Sequence, residues 1–343
     1  MARETTRRLA CGAAALAALA AVGEPHTAAA QAGVITEWKV PWPQTRPRDP
    51  YLDPQGRVWF VGQVGNYIAY LDPTTGQFKR YELDPGTLPH NLIVDPKGTV
   101  WYAGNGNGTI GRLDPTTGKI TRYPMPDRAA RDPHTLVFDR SGDLWFTVQQ
   151  SNFVGKLTVA TGNVRLVPVP TQHALPYGIG IDGHGRPWFV EFGSNKVATV
   201  DPATFKVTEY TIPDSRARPR RIAITADDRV WYGDYTRGML GRFDPGTGKF
   251  AEWPMPAGGS AAPYAMAADD RSRVWFVETG PQPNRLVGFD AKTEKFFAET
   301  PIAESGGLTV RNMIYHPGTK ALWFGTDANT IARALVPEGR ALP

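Results

Sequence analysis

The chain has 343 residues, with 38 Lys and Arg against 33 Asp and Glu and a net charge of +5 at neutral pH. That excess is modest and spread out, and no Lys/Arg-rich run of the kind that binds nucleic acid or a membrane surface is present in the sequence. The single cysteine, Cys11, excludes a disulfide framework and, with the leader described next removed, thiol chemistry too.

Residues 1–30 read as a secretory signal. Arg7 and Arg8 form a basic start, residues 9–23 are an Ala/Leu-rich apolar run, and Ala28-Ala29-Ala30 offers a small-residue cleavage site. Thr6-Arg7-Arg8-Leu9 also has the twin-arginine form, so both export routes stay open. Cleavage removes three Arg and two Glu, so +5 becomes +4. The expectation is an exported monomer, periplasmic or secreted, with no membrane attachment after cleavage.

After the leader, seven tryptophans set the plan: Trp59, Trp101, Trp145, Trp188, Trp231, Trp275 and Trp323. Their spacing is 42 to 48 residues, and each is followed by Phe or Tyr. That period with a fixed aromatic pair marks a four-stranded propeller blade. The second repeat shows it best. Short strands are predicted over 91–94, 100–103, 110–113 and 120–123, with turns at Asp95-Pro96-Lys97-Gly98, at 105–108 and at Asp114-Pro115-Thr116-Thr117-Gly118. The seventh repeat stops after a third strand at 331–334, and its missing fourth strand lies at the other end of the chain. Gly33 to Trp38 matches Gly118 to Tyr123 residue for residue. The fold class is therefore all-β: one seven-bladed propeller over residues 33–338, closed by an N-terminal strand that completes the last blade and hides its edges.

The residue just before each first strand should sit at one mouth of the central channel. It reads Arg48, His90, His134, Tyr177, Arg220, Tyr264 and, with one inserted residue, Arg311. The second strand runs antiparallel and returns to the same rim. Three residues after each Trp it places Gly62, Gly104, Val148, Glu191, Asp234, Glu278 and Thr326. One mouth is thus expected to carry three Arg, two His and two Tyr, backed by the carboxylates Glu191, Asp234 and Glu278. Such a funnel suits a polar or anionic small molecule. Any one of these residues also has a plain reading, as a solvated or paired side chain filling the mouth.

Two literal motif matches are set aside. Gly106 to Gly111 fits G-x-G-x-x-G, but a strand follows where a dinucleotide site needs a helix. The Asp-Pro-Thr-Thr-Gly turns lack the further acidic ligands of a calcium loop. No nucleotide or organic cofactor is expected.

The repeat as a whole resembles the virginiamycin B lyase (streptogramin B lyase) family. The likeness rests on Pro-His/Tyr-x-Ile, on Asp-x-x-Gly-x-x-Trp-Phe, and on Ile-Gly-Arg-Leu-Asp-Pro-x-Thr-Gly-x-Ile-Thr-x-Tyr, and it covers nearly the whole mature chain. It implies a carbon–oxygen lyase that opens the ester of a cyclic depsipeptide by elimination. In that family a histidine takes the α-proton and a carboxylate-bound magnesium ion stabilises the developing charge. Those groups lie in Glu-Pro-His-Gly followed by Trp-Phe-x-x-Glu on one blade. Here Asp132-Pro133-His134-Thr135 matches the first half, while the second appears on other blades, as Trp188 to Glu191 and Trp275 to Glu278. Those two blades carry Tyr177 and Tyr264 in place of the histidine. The resemblance therefore makes His134 the expected base and Glu191, with Asp132, the expected Mg²⁺ ligands, converging from neighbouring blades. A non-catalytic periplasmic or secreted binding propeller is the alternative, and a lactonase-type hydrolase a second one.

Overall fold

A computed structural model of the protein describes Met1 and residues 34–337. The signal reading, apart from Met1, and the outermost residues 33 and 338 of the expected propeller lie outside the described residues.

Each tryptophan repeat forms a four-stranded antiparallel sheet, and seven such sheets follow one another. Six are built from consecutive strands, over residues 47–82, 89–124, 133–168, 176–211, 219–254 and 263–301. The seventh joins Val310–His316, Ala321–Thr326 and Thr330–Leu335 to the N-terminal strand Ile35–Lys39. Ile35 pairs with Ala334 and Lys39 with Thr330, so the two ends of the chain share one blade as expected. Trp38 stacks on Trp323 at 5.7 Å between ring centroids. Asn329 pins the closure by donating to the carbonyls of Val40 at 3.0 Å and Trp42 at 2.8 Å.

The repeat motif has a direct physical basis. All seven tryptophans are buried, and in five blades the indole Nε1 donates to the turn Asp six residues earlier, as in Trp59 to Asp53 at 2.7 Å and Trp188 to Asp182 at 2.8 Å. The same carboxylate accepts backbone N–H groups of its own turn, for example from Gln55 and Arg57. One Asp thus closes the hairpin and satisfies a buried indole. Thr225 does this for Trp231, and Thr319 for Trp323 in the blade where His316 replaces the Asp. The second aromatic lies across the third strand. A Cβ on Gly111 would come within 1.9 Å of the Tyr102 ring, which is why Ile-Gly-Arg-Leu keeps a glycine there.

Candidate ligand site at the channel mouth

Innermost strands begin at the mouth with Pro-X in six blades and Val310-Arg311 in the seventh. Every one of their pairings with the second strand is irregular at this point, as between Pro133 and Leu136 or Pro176 and Leu's counterpart Ile179. In each blade the X residue, or the one after it, falls inside the irregularity. A bulge re-aims side chains that a regular strand would direct at the neighbouring blades.

The result is a convergent ring. His90 and His134 lie 3.5 Å apart between centroids, and His134 and Tyr177 4.2 Å apart. The Tyr177 and Tyr264 hydroxyls are hydrogen-bonded to each other. Arg220 lies over Tyr264, its Cζ 3.7 Å from the ring centroid, and Arg311 reaches the same ring at 5.8 Å. Arg48 donates to Asp49 at 3.0 Å and to Gln63 at 3.1 Å. Arg48, His90, His134, Tyr177 and Tyr264 are each at most 5% exposed, so the side chains fill the mouth themselves. Arg220 and Arg311 are only half-buried and form its outer surface.

Beneath the ring lies a second layer, made by the next residue of each strand: Asp49, Asn91, Thr135, Gly178, Arg221, Ala265 and Asn312. Asp49 is fully buried, accepting from Arg48 and, at 2.9 Å, from Asn91, with Arg221 at 3.7 Å. Arg221 donates to Thr135 at 3.1 Å and to the Arg311 carbonyl at 3.0 Å. Thr135 Oγ1 also bonds His134 Nδ1 at 2.8 Å. One hydroxyl thus links the Arg221 guanidinium to the His134 ring.

The site is cationic. Arg48, Arg220, Arg221 and Arg311 face the carboxylates Asp49 and, at 2.5 Å from Arg311, Asp327. Burial, reinforced by Arg48 for His90 and by Arg221 for His134, holds both imidazoles well below their ordinary range, so both are neutral at pH 7. Burial alone would raise Tyr264, but Arg48, Arg220, Arg221 and the Tyr177 hydrogen bond outweigh it and bring the phenol down to about 8. Tyr177 moves the other way, raised by burial and by Tyr264. Three donors of this cluster, Arg48 Nη2, Arg220 Nε and Arg221 Nη2, are buried without a hydrogen-bond partner.

The expected carboxylates are not part of this ring. Glu191, Asp234 and Glu278 pair in register with Pro176, Pro219 and Pro263 as anticipated, but each turns into its own blade. Glu191 accepts from Ser194 at 2.7 Å, Asp234 from Arg237 at 2.5 Å, and Glu278 from Arg285 at 2.6 Å and the Ala257 amide at 2.8 Å. Burial raises the Glu191 carboxyl to about 7 and also raises Glu278. Asp132 is spent on the next loop, accepting from Ser151 Oγ at 2.7 Å and the Gln150 amide at 2.5 Å. The charged groups facing His134 are Arg221, Arg48 and Arg220, not Glu191. The reason is register: side chains alternate along a strand, and the residue one further on, four after the Trp, is the one that meets the ring. That position supplies Gln63 to Arg48, Phe192 and Tyr235 to Arg220 at 4.7 and 4.4 Å, and Asp327 to Arg311. Among the described residues no three His, Cys, Asp or Glu side chains gather in a metal-binding group.

The profile of the Virginiamycin B lyase family matches residues 26–286. The chain belongs to the virginiamycin B lyase family. A streptogramin B lyase structure superposes with a TM-score of 0.80 at 25% identity, covering 89% of this chain and 98% of that one. A catalytically inactive virginiamycin B lyase from Staphylococcus aureus with quinupristin gives the same TM-score at 23% identity, covering 89% and 99%. The propeller of other proteins is also similar: the extracellular domain of a hybrid two-component system from B. thetaiotaomicron reaches 0.67 at 16% identity, covering 89% of this chain and 43% of that one. No curated protein matches the sequence.

Proposed function

We propose that this virginiamycin B lyase-like propeller is a binding protein for an anionic or acyl small molecule at its arginine-ringed mouth, and that it does not perform a histidine- and magnesium-dependent elimination. One observation carries the reading. Arg48 and Arg220 converge on two phenols at the mouth, each with a buried N–H lacking an acceptor. A buried guanidinium donor without a partner is costly, and a ligand carboxylate or acyl oxygen relieves that cost. The base-and-metal alternative needs His134 and Glu191 together, whereas the charged groups acting on His134 are Arg221, Arg48 and Arg220. The leader-like residues 1–30, and the likeness to an extracellular domain, support export as the setting for this binding.

The test has two arms. The protein is incubated with quinupristin and magnesium, and the products are weighed. A linear product of unchanged mass would establish elimination and overturn the proposal, and a gain of one water would establish hydrolysis. In the second arm N-acetylated amino acids are titrated calorimetrically. Saturable binding that Arg220→Met weakens about tenfold, the worth of one charge-assisted hydrogen bond, is the expected result.

A further inference from the structure

The central channel continues below the ring and its polar layer, and its lining changes character there. The next residues of the innermost strands include Leu92, Leu136, Ile179, Ile222 and Met313, all apolar. They surround a cavity of about 200 Å³ whose upper wall holds Arg221, Thr135 and Asn312. The cavity shares Tyr51 and Phe138 with a groove of about 510 Å³ on the opposite face, between the turns at Asp53, Asp95 and Asp139. Arg221 is 2% exposed, and its Nη2 has no hydrogen-bond acceptor. The nearest carboxylate, Asp49 at 3.7 Å, already accepts from Arg48 and Asn91.

A channel with a cationic, under-satisfied upper end and an apolar body is the shape of an amphiphile. We infer that this cavity is a second binding site, separate from the mouth, for a short aliphatic carboxylate that enters from the opposite face. Its head meets Arg221 Nη2, and its chain lies against Ile179, Ile222 and Met313. A neutral alcohol of equal length leaves the guanidinium without a charged acceptor, and a cation is repelled by the same group. An apolar cavity of about 150 Å³ accommodates benzene, so about 200 Å³ takes a chain of roughly six carbons.

The purified protein is titrated calorimetrically with acetate, butyrate, hexanoate and octanoate, with hexanol as the neutral comparator. Affinity rises about fourfold per methylene up to hexanoate, the value expected for burying each CH₂, and hexanol binds at least tenfold more weakly than hexanoate. Arg221→Met loses about tenfold or more for hexanoate and leaves hexanol unchanged. Ile179→Phe fills the channel while keeping the polar layer, so it abolishes binding of both and carries the test should Arg221→Met fold poorly. Arg220→Met, at the mouth, leaves hexanoate unchanged, which separates this site from the one proposed above. The inference is overturned by hexanoate binding no tighter than acetate, by unchanged hexanoate affinity in Ile179→Phe, or by loss of hexanoate in Arg220→Met alone.

Discussion

Glu191 offers a sharp test of whether the family-type carboxylate is a ligand or a buried structural acid. Its side chain is fully buried, one oxygen accepts from Ser194, and the other, Oε1, has no partner. Burial raises its carboxyl from 4.5 to about 7, with Glu209 adding to the shift. The sign follows from the raised value. Below the unfolded value both states hold the proton and the group is neutral to stability. As the pH climbs past 4.5 the unfolded chain ionises Glu191 while the folded chain resists, so stability falls until the pH passes about 7. Between pH 5 and pH 8 the loss is about 2.5 kcal/mol by linkage, equivalent to roughly 5 °C in Tm for a chain of this size. Glu191→Gln removes this component. The assay is thermal melting of both proteins across that range, and the Gln variant should gain on the wild type progressively towards pH 8. Added magnesium should move neither curve. Parallel curves would refute the buried-acid reasoning, and a magnesium-dependent rise in the wild type alone would restore Glu191 as a metal ligand.

Removing residues 31–40 strips the strand that pairs with Thr330–Leu335, opens a sheet edge and unseals the ring, so the melting temperature should drop sharply; an unchanged melt would count against the closure. Tyr264, brought down to about 8 by its arginines, should appear as an early tyrosinate step in an ultraviolet pH titration, and Tyr264→Phe should delete that step and no other. Asp53→Ala removes the acceptor of the Trp59 indole, of the Arg57 side chain and of two turn amides, and should cost about 2–4 kcal/mol by denaturant unfolding, because it leaves buried donors unpaired.

The fold was legible because its determinants are local and repeated. In four repeats an Asp, a turn glycine and a Trp six residues after the Asp specify one hairpin, and seven Trp-aromatic repeats with a truncated last one specify a closed ring. The match of Gly33–Trp38 to Gly118–Tyr123 even located the closing strand, whose described part pairs from Ile35 onward. The ring residues were legible for the same reason, since equivalent places in a repeat meet on the axis. The partners were not. Counting three residues after the Trp instead of four selected Glu191, Asp234 and Glu278, which face into their blades, and passed over Gln63, Phe192, Tyr235 and Asp327. With a side-chain period of two, one residue decides the face. The polar layer of Asp49, Asn91, Thr135 and Arg221 was missed because the bulge that turns it inward has no signature in the hydrophobic pattern.

That bulge also explains how blades of one repeat pattern can carry different residues at the mouth. The indole bonds to turn side chains and the contacts of the second aromatic with the third strand lie in the strands and in the turns of the opposite face, away from the mouth. Side chains on the bulges point at the axis and contact one another across blades, as His90 does His134 and Tyr177 does Tyr264. Exchanging a histidine for a tyrosine or an arginine there changes charge and proton affinity while leaving the blade's own bonds intact. The constraint that remains is collective. Guanidinium groups packed this closely raise one another's cost unless anions or phenols intervene, and Asp49, Asp327, Tyr177 and Tyr264 occupy those intervening places. A single return to histidine at Tyr264 would therefore place an imidazole against Arg48, Arg220 and Arg221, which disfavour its protonated form. Tyr264→His should therefore give an imidazole that stays neutral at pH 7, followed by its NMR titration, and a ring protonated at that pH would refute the argument.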